Sequence, residues 1–329
     1  MVGTAQERLC PPYDFWILGV AAARNTGATK CFKLKVKTRM PAAPVADWRA
    51  VAGRVRQGVT MRDWDDAYAN SAHVPGSDKL PALWAERAAA YRAGLRGFRP
   101  DIAYGPGQRQ HLDLILPDGD SKGLVVFVHG GYWMRFAKSD WTDLAEGGRH
   151  HGWTVALPSY TLTPAARISD ITAEIAAAIA KAASLVSGPI RLAGHSAGGH
   201  LVTRMLCDDS RLEPAVYNRI AATLSISGLH DLRPLLKTKM NQTLRMTTEE
   251  ATLESAALHV PRGHAPVAAW VGGAERPEFI RQSELMANVW TGFDVPTHLT
   301  IEPGLNHFTV VDGLKDPSSP ITARLVGLD

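Results

Sequence analysis

Gly194-His195-Ser196-Ala197-Gly198 places a serine among small residues at the spacing expected of a nucleophile carried on a strand-to-helix turn. The apolar stretch Ile190 to Ala193 predicts the strand before it, and Ala197 to Cys207 predicts the helix after it. Such a turn is tight, so its flanks must be small, and it lifts the hydroxyl to a helix N-terminus where unpaired N–H groups favour developing negative charge. Read alone, the pentapeptide also fits an ordinary glycine-rich helix start. A second signal favours the nucleophile: His129-Gly130-Gly131-Tyr132-Trp133 directly follows the buried-strand pattern Leu124 to Val128. Two successive glycines let the N–H groups of Gly130 and Gly131 turn toward a substrate oxygen, and with that of Ala197 they predict an oxyanion hole.

A serine hydroxyl needs a base within hydrogen-bond reach and an acid that orients the base. His307, just after the final predicted strand, is the candidate base. Glu275 follows the next-to-last strand and is the preferred acid; Asp231, after the strand before it, is the alternative. Glu278 and Asp294 read as structural or solvated carboxylates. His195 and His200 read as packing or hydrogen-bonding residues, His129 as support for the glycine loop, and His150 and His151 as the end of a helix. Tyr132, Trp133 and Phe308 adjoin the reactive loops and are candidate walls for an aromatic substrate. No Cys/His cluster has zinc spacing and the nucleotide-binding glycine patterns are missing, so neither metal nor cofactor is expected.

These groups must be held by a scaffold, and from residue 101 the pattern alternates strand and helix, the sign of an α/β fold with a mostly parallel central sheet and helices on both faces. Ile102 to Tyr104 and Leu112 to Leu116 predict a hairpin. Further strands are predicted at Leu124 to Val128, Thr154 to Leu157, Ile190 to Ala193, Ala222 to Ser227, Val267 to Val271 and Thr297 to Ile301. Helices are predicted at Leu80 to Leu95, Ser139 to His150, Ile168 to Leu185, Ala197 to Cys207 and Glu278 to Trp290. Residues 229 to 265, with Met240, Met246 and a Thr247-x-x-Glu250 capping box, fit a small lid or a plain helical insertion equally well.

The 329 residues are 45% hydrophobic and 21% charged, a globular composition that excludes disordered, collagen-like and coiled-coil chains. The net charge of +4 is unevenly placed. Residues 1–60 carry ten Lys/Arg against Glu7, Asp14 and Asp47, a net of +7, and the remainder is −3. The body therefore offers no case for nucleic acid as a partner. Residues 1–60 read as a disordered or mis-started extension, and 61–329 as a single domain. Of three cysteines, Cys10 and Cys31 fall in the extension, so no disulfide framework is expected around Cys207. No apolar run reaches 18 residues, and Phe15 to Ala23 lacks the flank of a secretory signal, so a cytoplasmic protein without a membrane partner is expected. A homodimer is left open.

Over residues 61 to 325 the chain resembles the kynurenine formamidase (arylformamidase) branch of the α/β-hydrolases, close to the hormone-sensitive-lipase-like esterases. The likeness rests on WDDAYAN at 64–70, HGGYW at 129–133, GHSAGGHL at 194–201, SGLHDLRPL at 227–235, ERPEFIRQS at 275–283 and NHF at 306–308. It implies an α/β-hydrolase fold and a cofactor-free serine hydrolase that converts N-formyl-kynurenine to kynurenine and formate. Ser196 would be the nucleophile, His307 the base and Glu275 the acid, where family members often carry aspartate. The competing readings are a carboxylesterase acting on short acyl or aryl esters with the same triad, and a non-catalytic hydrolase fold used for binding.

Overall fold

In the computed structural model the described residues are 62–328; the reading of residues 1–60 as an extension lies outside them. Eight strands build one sheet: β1 Phe98–Ala103, β2 His111–Ile115, β3 Leu124–Val128, β4 Thr154–Pro158, β5 Ile190–His195, β6 Ile220–Ile226, β7 Val267–Gly272 and β8 Thr297–Glu302. Their order is β1-β2-β4-β3-β5-β6-β7-β8, with β2 antiparallel to both neighbours and the pairs from β4 to β8 all parallel. Strand order reverses at β3, whose neighbours are β4 on one side and β5 on the other. Chain connections leave the sheet in opposite directions there, opening a crevice at the carboxyl ends of β3 and β5.

The apolar run of β3 explains the two-layer core. Leu124, Val126 and Val128 face one cluster, and Val125 and Phe127 face the other, because side chains alternate along a strand. Five helices of seven or more residues cover the faces: α1 Leu80–Gly94, α2 Ile168–Leu185, α3 Ala197–Arg204, α4 Pro277–Thr291 and α5 Pro320–Val326. Helix α2 buries Ile168, Ile171, Ile175, Ile179 and Ala182, a stripe at helical spacing, and each isoleucine is worth about 1.5–3 kcal/mol of burial. At its start Asp170 accepts from the Arg167 N–H at 3.0 Å. Among the described residues no helix is long and apolar enough to cross a membrane.

Three expectations need correction. The helix expected over Ser139 to His150 is two 3₁₀ turns, Lys138–Asp140 and Thr142–Ala145, followed by a short α-helix, Glu146–His150. Gly147 lies so close to α5 that a Cβ there would sit 2.5 Å from Thr322 Oγ1. Packing rather than propensity sets that segment. The helix after Ser196 stops at Arg204 rather than Cys207, which instead bridges Pro261. The expected capping box at Thr247 is half formed: Thr247 accepts from the Glu250 N–H at 3.2 Å, but the Glu250 carboxylate turns to Arg167 and Ser169. The 229–265 segment is tied down at several points. Gln282 bonds the N–H groups of His230 and Asp231, Ser255 Oγ accepts from Leu232 N, and Met246 joins the core.

Candidate active site

Ser196 occupies the turn between β5 and α3 at φ 56°, ψ −116°, a strained backbone for a non-glycine residue. Close packing forces its small neighbours. A Cβ on Gly198 would lie 1.9 Å from the Val128 carbonyl oxygen, and one on Gly194 would lie 2.2 Å from that of Gly198. The Ser196 N–H donates to Ile226 O at 2.8 Å, fixing the turn to β6.

Gly130 lies against this turn, since its Cβ would be 3.0 Å from Ser196 Cβ. Gly131 adopts φ +107°, and its carbonyl accepts from the N–H groups of Met134 and Arg135 at 2.9 and 3.1 Å. Tyr132, Trp133 and Phe136 also have positive φ, so strain is concentrated in this loop. His129 holds it from below, stacked on Tyr160 at 4.4 Å with Nδ1 donating to Gly130 O at 2.8 Å. Burial pushes the His129 imidazole down to about 4, so it is neutral at physiological pH. Among the described residues the N–H groups of Gly130, Gly131 and Ala197 donate to no acceptor.

His307 follows β8 on a turn in which Asn306 Oδ1 accepts from the Phe308 N–H at 2.9 Å. Its Nδ1 lies 2.7 Å from Glu275 Oε2. The other carboxylate oxygen accepts from Ser227 Oγ at 2.6 Å and from the Gly272 N–H at 2.8 Å. With three donors fixed on Glu275, His307 carries its proton on Nδ1 and leaves the Nε2 lone pair free to act as a base. The imidazole is packed by Phe279 at 4.5 Å and His195 at 4.7 Å. Asp231, the alternative acid, is instead clamped by Arg233 at 2.8 and 3.0 Å. No sequence signal marks Ser227 as a partner of Glu275, because their bond depends on the ends of β6 and β7 being neighbours.

Ser196 and His307 open into one cavity of about 560 Å³, lined also by Tyr132 and Phe308. Trp133 is not part of that wall. It is fully buried, edge-on to His200 at 5.2 Å, because its strained backbone points it into the core. Its place is taken by aromatics from distant segments: Trp84 of α1 contacts Trp141 at 4.7 Å and Phe308 at 5.8 Å, and Phe136 completes the cluster. Nothing in the local sequence around Trp84 or Trp141 signals this meeting. From the 229–265 segment Met240 reaches the cavity.

The fold also brings ligand atoms of Cys207, Asp209 and His259 within 4.8 Å of one another, a grouping that sequence spacing did not reveal. They do not form an available metal donor set. Arg204 clamps Asp209 at 2.7 and 2.9 Å, both His259 nitrogens have partners, and burial pushes the Cys207 thiol up to about 12.

A reversing parallel sheet, a strained serine turn and a buried carboxylate–imidazole pair define a hydrolase, and the chain belongs to the alpha/beta hydrolase family, which residues 125–327 match. It is similar to the kynurenine formamidase of Salmo salar, 29% identical over 245 residues that cover 71% of this chain and 82% of that one. The kynurenine formamidase of Danio rerio is 28% identical, covering 69% and 80%. Among solved structures, a candidate thioesterase from Silicibacter sp. tm1040 is 46% identical, covers 80% of this chain and 99% of its own, and superposes with a TM-score of 0.77.

Proposed function

We propose that the protein is a serine hydrolase that cleaves the formamide of N-formyl-kynurenine or a close aryl formamide. The observation that carries this reading is the Glu275–His307 bond of 2.7 Å beside a cavity that His307 shares with Ser196. Ser196 Oγ attacks the formyl carbon while His307 Nε2 takes its proton. The carbonyl oxygen becomes an oxyanion held by the N–H groups of Gly130, Gly131 and Ala197, each worth about 3 kcal/mol in such sites. The C–N bond then breaks as His307 returns the proton to the aniline nitrogen, leaving a formyl ester on Ser196. Water attacks that ester with its proton passing to His307, and formate leaves as the proton returns to Ser196.

The aryl leaving group is supported by the aromatic wall of Trp84, Trp141 and Phe308 and by similarity to the kynurenine formamidases. A second reading, hydrolysis of an ester or thioester, is favoured by the likeness to the candidate thioesterase, since those bonds break through the same tetrahedral intermediate. Comparing kcat/KM for formate release from N-formyl-kynurenine with that for p-nitrophenyl acetate and a short acyl thioester separates them. Preference for the formamide is expected; a preference of several orders of magnitude for either ester overturns it.

A further inference from the structure

We propose that Asp78 and Arg135 form a subsite at the cavity mouth that receives the ammonium and carboxylate of an α-amino acid carried by the substrate. The inference rests on the aryl formamidase reading for its substrate class. Both residues line the cavity that holds Ser196 and His307, and both are exposed. Their side chains make no hydrogen bond or ion pair among the described residues, and they do not pair with each other. The neighbouring Arg109 differs, because its guanidinium is used by the carbonyls of Tyr160 and Phe136.

Two opposite, unpaired charges flanking an aromatic cavity match one ligand chemistry better than others. A neutral ligand leaves both unused, and a ligand with a single charge meets a like charge on one side. A zwitterion satisfies both, and the fork of Arg135 suits a carboxylate. A further observation points to a ligand donor on the same segment as Asp78. Asn70, 5% exposed, lines the cavity with its Oδ1 buried and without a hydrogen bond. A buried amide oxygen left in that state loses about 1–3 kcal/mol, which an N–H of the ligand recovers. Engaging the amino-acid end of the substrate also fixes the distance at which the formamide meets Ser196, so binding away from the reacting bond orients it.

The test uses calorimetric binding to Ser196→Ala, so that turnover plays no part. L-Kynurenine carries the amino-acid group, and 2-aminoacetophenone has the same ring and ketone without it. L-Kynurenine is expected to bind at least about tenfold tighter, and Arg135→Gln or Asp78→Asn added to that protein is expected to shrink the ratio toward one. Equal affinity for the two compounds, or a ratio unchanged in both variants, overturns the subsite. Formate release from N-formyl-kynurenine by the wild-type enzyme is measured beside it. The predicted binding ratio without formate release leaves the subsite standing and removes the formamidase reading instead.

Discussion

Nε2 of His195 donates to the backbone carbonyl of His307 at 2.9 Å, so the residue preceding Ser196 holds the loop that carries the imidazole. The two rings lie 4.7 Å apart, and burial above all, with the adjacent His307 ring disfavouring a second positive charge, keeps the His195 imidazole well below its usual range. His195 is therefore a neutral residue that ties the Ser196 turn to the His307 loop, and the proposed mechanism makes it a positioning residue. His195→Ala is expected to lower kcat about 10- to 100-fold through displacement of His307, with little change in KM. Steady-state kinetics check this, and an unchanged kcat contradicts the tether.

The two candidate acids are separable by the same assay. Glu275→Ala removes the partner of His307 Nδ1 and is expected to lower kcat by about 10⁴-fold. Glu275→Asp falls between that variant and wild type, because a shorter side chain cannot hold His307, Ser227 and Gly272 N together. Asp231→Ala breaks only the clamp with Arg233 and leaves kcat within about tenfold of wild type. A larger loss in Asp231→Ala than in Glu275→Ala reverses the assignment.

Acid sensitivity follows from the buried histidines. Desolvation pushes His129 down to about 4 and His200 and His230 to about 3, and it lowers His195 as well. In the unfolded chain these groups titrate near 6.5. Between about pH 6.5 and 4 the unfolded state binds protons that the native state does not, so stability is full above this window and falls as pH falls through it. Urea unfolding is expected to show a clearly lower midpoint at about pH 5 than at about pH 7.5, with proton uptake on unfolding. Equal midpoints contradict it.

The local parts of this architecture were legible in sequence because they depend on neighbours in the chain. The apolar run Leu124–Val128 and the isoleucine spacing of α2 are such patterns, and the glycines around Ser196 are required by contacts within one β-turn-α unit. Glu275 could be ranked above Asp231 from chain order together with its position after the next-to-last strand, but its bond to His307 is a product of adjacent strands β7 and β8. The aromatic wall was legible only in part: Tyr132 and Phe308 adjoin the reactive loops in sequence and line the cavity, but the rest of the wall comes from elsewhere. Trp84 and Trp141 belong to segments that meet only through the packing of α1, and Trp133 adjoins the same loop in sequence yet points into the core. Helix α5 carries too little periodicity to read from sequence, being seven residues that open on Pro320 beyond the last strand.

We propose that Ser196 is the nucleophile of an aryl formamidase. Its most direct test is to treat wild-type protein and Ser196→Ala with a fluorophosphonate, map the modified peptide, and measure formate release from N-formyl-kynurenine in parallel. Modification at Ser196 alone, lost in the variant together with about 10⁶-fold of the formate-releasing activity, is the predicted result. Labelling elsewhere, or formate release that survives in Ser196→Ala, contradicts it.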